Sequence, residues 1–336
     1  MEPDPGATRR TLAVPAPFSL AAICCPVYWT TGRSPRHGWH DGRLTWVGWE
    51  EERVVWRSAR QASGETLDIT GSSAQERDAE WGMAVLGAHI SLPQYDDPVI
   101  ADIARRFPGL HPYCDGSVFE GIVTAIVGQS ISVAAAAVTQ AKLAALFAEP
   151  VMIDGEPYRP LPHPSQLAGS TDEMIRSSGV TWKRAAAIRF AAREWLDGNL
   201  PADRFAREQP EATVAELMKL PLVGRWTAES VVLWGVGAPN AHPIGDVALL
   251  RARGRHTSGR NSRSSNSTYW RNIGVRHAVW PRGCSGRSCS DPLPIVTRRL
   301  RPRPQRGEEP SRCPRTGGWD GFICASIWLE FQGPLG

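Results

Sequence analysis

Lysine is nearly missing from this chain: three lysines stand against 35 arginines in 336 residues. Few amines are therefore offered for nucleophilic chemistry, and the bias fits GC-rich codons. No stretch reaches about 18 uninterrupted apolar residues, which argues against a transmembrane helix. A secretion signal is not expected either, because Pro15 and Pro17 break the weak apolar segment that follows Arg9 and Arg10. The seven cysteines contain no CxxC pair. Cys24 and Cys25 are adjacent, Cys114 is alone, and Cys284, Cys289, Cys313 and Cys324 are irregularly spaced. That pattern argues against a zinc site or a tight four-cysteine iron–sulfur cluster and points to thiols in a reducing cytoplasm.

A uniform charge is missing too. The formal net charge is +4, but residues 251–336 hold 16 arginines, no lysine and five acidic residues, a net +11. Residues 1–250 hold 22 basic and 29 acidic residues, a net −7. The basic balance therefore says nothing about nucleic-acid binding by the main body. Any such contact there has to be local.

What is present divides into four stretches. Residues 1–15 are expected to be a disordered leader. Residues 16–92 read as a small α+β domain, an antiparallel sheet plus a helix. Leu44 to Trp49 and Arg53 to Arg57 are rich in β-formers around the charged turn Glu50-Glu51-Glu52, a hairpin signal. Thr66 to Thr70 alternates as a third strand, and residues 74–90 carry Trp81, Val85 and Leu86 at helical spacing. Residues 93–250 read as all-α. Helices are expected over Val99–Phe107, Ser117–Val127, Ser132–Phe147, Thr171–Ser177, Lys183–Leu196, Thr213–Leu220 and Trp226–Trp234, with a loop over Pro160–Pro164. Residues 251–336 form an irregular tail rich in Arg, Ser and Pro. Two readings of it stand: a disordered basic tail, or an out-of-frame translation of GC-rich DNA. Trp270, Trp280, Trp319, Trp328 and four cysteines favour the second, since disordered segments avoid both residue types.

The informative stretch is Leu220-Pro221-Leu222-Val223-Gly224-Arg225-Trp226-Thr227-Ala228. A helix ends, the chain turns within about five residues, and a second helix begins. The N-terminus of that second helix favours an anion such as a phosphate, a contact that positions without reading sequence. Alone, this could be an ordinary αα-hairpin. Twenty positions after Trp226, the loop Ala241-His242-Pro243-Ile244-Gly245 delivers Asp246 to the apolar run Val247-Ala248-Leu249-Leu250. Alone, Asp246 could be a plain N-cap.

Together, the two stretches resemble the helix-hairpin-helix/Gly-Pro-Asp superfamily of DNA glycosylases, and within it the DNA-3-methyladenine glycosylase II group. Phe119 to Gln129 resembles that family's first long helix with its Gly-Gln turn, and Gly179 to Ala185 its Gly-x-x-x-Lys-Arg/Lys-Ala segment. Ala16 to Leu20 opens a segment similar to the extra N-terminal domain, so the resemblance covers residues 16–250. It implies base-excision repair: hydrolysis of the N-glycosidic bond of an alkylated purine that has been flipped out of duplex DNA. It implies Asp246 as the catalytic carboxylate for the oxocarbenium-like sugar, with Trp226 and Ser230 in the base pocket. It implies DNA contacts at Leu222, Gly224, Arg225 and Thr227, at Gln129, Ser130 and Ile131, and at Lys183. Relatives that also nick the strand carry a lysine where Trp226 stands, so a monofunctional enzyme is implied. No cofactor or metal is implied. The expected partner is double-stranded DNA with alkylated bases, met by a cytoplasmic, nucleoid-associated, bacterial-type monomer with no membrane role.

Three departures stand out. Leu222 occupies the place of a hairpin glycine. Ser130 is a poor wedge for the gap left by a flipped base, which makes Ile131 the better candidate. The family's closing helices are not recognisable in 251–336. A catalytically inactive helix-hairpin-helix DNA-binding protein is therefore the alternative, and a helical scaffold without nucleic acid is the third reading.

Overall fold

The computed structural model describes residues 7–24, 34–72, 75–88, 90, 98–238, 241, 243 and 244. The expectations placed on Asp246, on Gly245 and on the tail 251–336 fall outside the described residues.

Alternating side chains build the N-terminal sheet. Its strands are β1 (Thr8–Ala13), β2 (His37–His40), β3 (Arg43–Glu50), β4 (Arg53–Ser63) and β5 (Thr66–Gly71). They pair antiparallel in the order β1-β5-β4-β3-β2. Leu67, Ile69 and Gly71 of β5 point inward in strict alternation, as the period of two requires. Helix α1 (Leu20–Cys24) and helix α2 (Gln75–Leu86) supply Leu20, Ile23, Trp81, Val85 and Leu86 to the same core. A buried arginine is held inside it. Arg57 Nε donates to Asp78 Oδ1 at 2.8 Å, and its guanidinium lies 5.5 Å from the Trp46 ring centre. Pairing of this kind is what lets a charge sit in a core.

Two expectations are corrected here. Residues 8–13 are not a leader: β1 pairs along β5 from Thr8↔Gly71 to Ala13↔Thr66. The leader reading missed that Leu12 alternates with polar neighbours to complete a sheet edge. Strand β2 was also missed, although Asp41-Gly42 between it and β3 is a two-residue turn with both φ positive, 51° and 72°.

The helical part contains α3 (Pro98–Arg106), α4 (Val118–Gly128), α5 (Val133–Phe147), α6 (Pro164–Gly169), α7 (Asp172–Arg176), α8 (Trp182–Leu196), α9 (Asp203–Glu208), α10 (Pro210–Leu217) and α11 (Arg225–Ser230). The last continues into a π-helical turn over Val231–Gly235. Side-chain oxygens cap several starts: Ser117 accepts from Glu120 N, Ser132 from Ala135 N, and Thr171 from Met174 N. This part is not purely α. Strands β6 (Val151–Ile153) and β7 (Glu156–Tyr158) form a ribbon around Asp154-Gly155, again with φ positive at both residues, 52° and 83°. Helices α6 and α9, six residues each, were not anticipated either.

Helix α4 is the central member. Val118, Phe119, Ile122, Val123, Ile126 and Val127 are all buried, and each large apolar side chain contributes roughly 1.5–3 kcal/mol by leaving water. α4 packs against α5, α8, α11 and the π-helical turn. Gly121 permits the last contact: a Cβ there would lie 2.9 Å from Gly235 Cα. The first turn of α4 is held twice, because Val118 N also donates to Asp203 Oδ1 at 2.7 Å. Arg36 reaches the same end from before β2, pairing with Asp115 Oδ1 at 2.6 Å and Glu120 Oε2 at 2.7 Å.

Candidate functional site

The hairpin starts one turn beyond α10, where Pro221, without an N–H, stops the helical run. Val223 N donates to Leu220 O at 3.2 Å, closing a four-residue turn over Leu220-Pro221-Leu222-Val223. Proline suits the second position of such a turn, and the third needs positive φ, normally met by glycine. Leu222 meets it at φ 63°. For an L-residue with a Cβ this costs roughly 1–2 kcal/mol. The Leu222 side chain gains little in return, being 42% exposed.

Gly224 then caps α11 in extended geometry and offers no side-chain acceptor to the first-turn amides. Arg225 is half exposed beside them. Trp226 is half-buried, and Thr227 is buried. Ser230 is buried as well, and its hydroxyl donates back to Trp226 O at 2.7 Å.

Gln129 braces this turn from a distant part of the chain. Its side-chain Nε2 donates to Leu222 O at 2.8 Å and to Thr227 Oγ1 at 3.1 Å. Its backbone carbonyl accepts from Arg184 Nη2 on α8. Three segments singled out from the sequence therefore meet: the turn after α4, the start of α8, and the hairpin. Ser130 sits next to this junction at φ 55°, exposed, with Ile131 beside it at 39% exposure. Lys183 is exposed on the first turn of α8. It lines a cleft of about 430 Å³ with Arg189, Phe190, Arg193, Pro221 and Leu222. Trp226 and Ser230 are not part of that cleft.

Sequence reasoning missed Glu229. It is 5% exposed on α11, and both of its oxygens are used. Oε1 accepts from Arg225 Nε and Oε2 from Ile244 N, each at 2.7 Å. Only the four-residue spacing to Arg225 signalled it. The bond to Ile244 crosses 15 positions and leaves no local pattern. Among the described residues, no group of three or more His, Cys, Asp or Glu is arranged to hold a metal ion.

Comparison with known proteins gives consistent relatives. The chain is 32% identical over 193 residues to DNA-3-methyladenine glycosylase 2 of Escherichia coli, covering 56% of this chain and 66% of that protein. It is 26% identical over 156 residues to a DNA-3-methyladenine glycosylase of Bacillus subtilis, covering 46% of this chain and 52% of the relative. The chain thus spans between about half and just under two thirds of the length of these curated relatives. No family model matches it. Among solved structures, the 3-methyladenine DNA-glycosylase of Archaeoglobus fulgidus superposes with a TM-score of 0.65 at 21% identity, over 78% of this chain and 90% of its own. With its braced hairpin and five-stranded N-terminal sheet, the chain has the fold of the Archaeoglobus fulgidus enzyme and is similar in sequence to the two DNA-3-methyladenine glycosylases.

Proposed function

We propose that this protein is a monofunctional DNA glycosylase of base-excision repair, a hydrolase that releases alkylated purines from duplex DNA. The observation that carries the reading is the Gln129-braced hairpin followed, twenty residues after Trp226, by Asp246. Gly224 leaves the α11 end open to an anion, and a DNA phosphate is the anion of the right size and charge. Lys183 adds positive charge at the cleft beside Pro221 and Leu222, and Arg225, paired with Glu229 through Nε, keeps its guanidinium half exposed. Ile131, exposed at the neighbouring turn beside Ser130, is the side chain that fills the gap a flipped base leaves.

The chemistry then follows from what an alkylated purine is. It already carries positive charge, so it leaves readily once its sugar is stabilised. The Asp246 carboxylate stabilises the oxocarbenium-like sugar and orients the attacking water. The Trp226 ring offers a π-face to the cationic base. No amine stands at that position, so no Schiff base forms and the strand stays intact.

Methylated duplex incubated with the protein should yield free methylpurines. Salt-dependent binding to abasic-site duplex without base release selects the inactive DNA-binding reading. Absence of salt-dependent binding removes both.

A further inference from the structure

We infer that Glu229 is a positioning residue that holds the Asp246-bearing loop in register with the hairpin, an inference that rests on the glycosylase reading above. Glu229 belongs to the second helix of the hairpin, one turn beyond Arg225. Its carboxylate is almost fully buried and spans two elements, with Arg225 Nε on one oxygen and Ile244 N on the other. Ile244 lies two residues before Asp246 in sequence. The Ile244 side chain is 45% exposed, so burial of that side chain does not fix the loop at this point. The polar tether on its amide does. A charge-assisted bond from a backbone N–H to a carboxylate is short and directional, and here the acceptor is itself oriented by Arg225. A contact made by Arg225 at the DNA-facing end is therefore mechanically joined to the segment that carries the reacting carboxylate. Misplacing a reacting group by about 1 Å costs on the order of 100-fold in rate.

Glu229→Ala, Glu229→Asp and Glu229→Gln separate this role from simple packing. Three quantities are compared with wild type: single-turnover release of methylpurine at saturating protein, affinity for abasic-site duplex, and hydrogen exchange at the Ile244 amide. Alanine removes the tether. Aspartate keeps the charge but is one methylene too short to reach both partners. Glutamine keeps a carbonyl that can accept from Ile244 N. The expected result is release slowed by about 100-fold in the alanine and aspartate variants and by less than about fivefold in the glutamine variant. Affinity stays within about threefold of wild type in all three, as expected when only the reacting step is lost. Exchange at Ile244 quickens in the alanine and aspartate variants and stays slow in the glutamine variant. If the alanine variant does not fold, the aspartate–glutamine pair carries the test. Equal release rates in aspartate, glutamine and wild type, or unchanged protection of Ile244 without the carboxylate, overturn the inference and leave the glycosylase reading standing. No release by wild type on any methylated duplex overturns both.

Discussion

The side-chain amide of Gln129 donates to the backbone carbonyl of Leu222 at 2.8 Å, across 93 positions of chain. The same nitrogen reaches Thr227 Oγ1, so one side chain closes the hairpin turn from outside it. Replacing Gln129 with alanine should destabilise the protein by about 1–2 kcal/mol, the worth of two hydrogen bonds, one exposed and one partly buried. It should also weaken binding to abasic-site DNA, because the hairpin loses its brace. Denaturant unfolding and a binding titration check the two effects. A Gln129→Ala protein with unchanged stability contradicts the bracing role.

Leu222 occupies a turn position that glycine fills without strain. Leu222→Gly should raise stability by up to about 1 kcal/mol, after the entropic cost of glycine is set against the relieved strain. Leu222→Ala keeps a Cβ at φ 63° and should give no gain. Thermal melts of the two variants decide this. Equal behaviour of alanine and glycine would show that the turn is not strained.

His37 predicts a pH dependence of stability. It is buried, with Nδ1 2.9 Å from Ser34 Oγ and its ring 5.2 Å from that of Tyr113. Burial first, and then the neighbouring Arg36 charge, hold its pKa well below the ordinary value of 6.5. The native state therefore keeps His37 neutral where the unfolded chain takes up a proton. This contribution is fully present above about pH 6.5 and is lost as pH falls toward the depressed native value, with a slope of at most about 1.4 kcal/mol per pH unit. Asp115 and Glu120, raised by burial against the opposing pull of Arg36, have the opposite sign. Their stabilising effect is present at low pH and is lost as pH rises, and it is common to wild type and variant. The stability of wild type relative to His37→Gln should therefore fall between pH 6.5 and 5. A flat difference across that range contradicts the assignment.

Much of this fold is visible in local chemistry, and the site residues divide the same way. The β3–β4 hairpin shows as β-formers flanking Glu50-Glu51-Glu52, and α4, α5 and α7 begin at Ser117, Ser132 and Thr171 because hydroxyls cap helices. Strand β1 was hidden because only a partner 53 or more positions away stabilises Thr8–Ala13. The β6–β7 ribbon was written in Asp154-Gly155, a strong turn signal that three-residue strands made easy to overlook. At the site, the hairpin and the place of Leu222 follow from Pro221 and Gly224. The bracing role of Gln129 and the tether at Glu229 do not, because both depend on partners that only the tertiary fold brings near.

The central claim is hydrolysis of a glycosidic bond assisted by Asp246. The direct measurement is release of free methylpurines from methylated duplex by the 336-residue protein and by its Asp246→Asn variant, with strand integrity followed in parallel. The account predicts release by wild type, loss of at least about 100-fold in the variant as expected for a key electrostatic group, and unbroken abasic strands. Equal release by the two proteins would contradict the role of Asp246, and strand cleavage coupled to release would contradict the monofunctional chemistry.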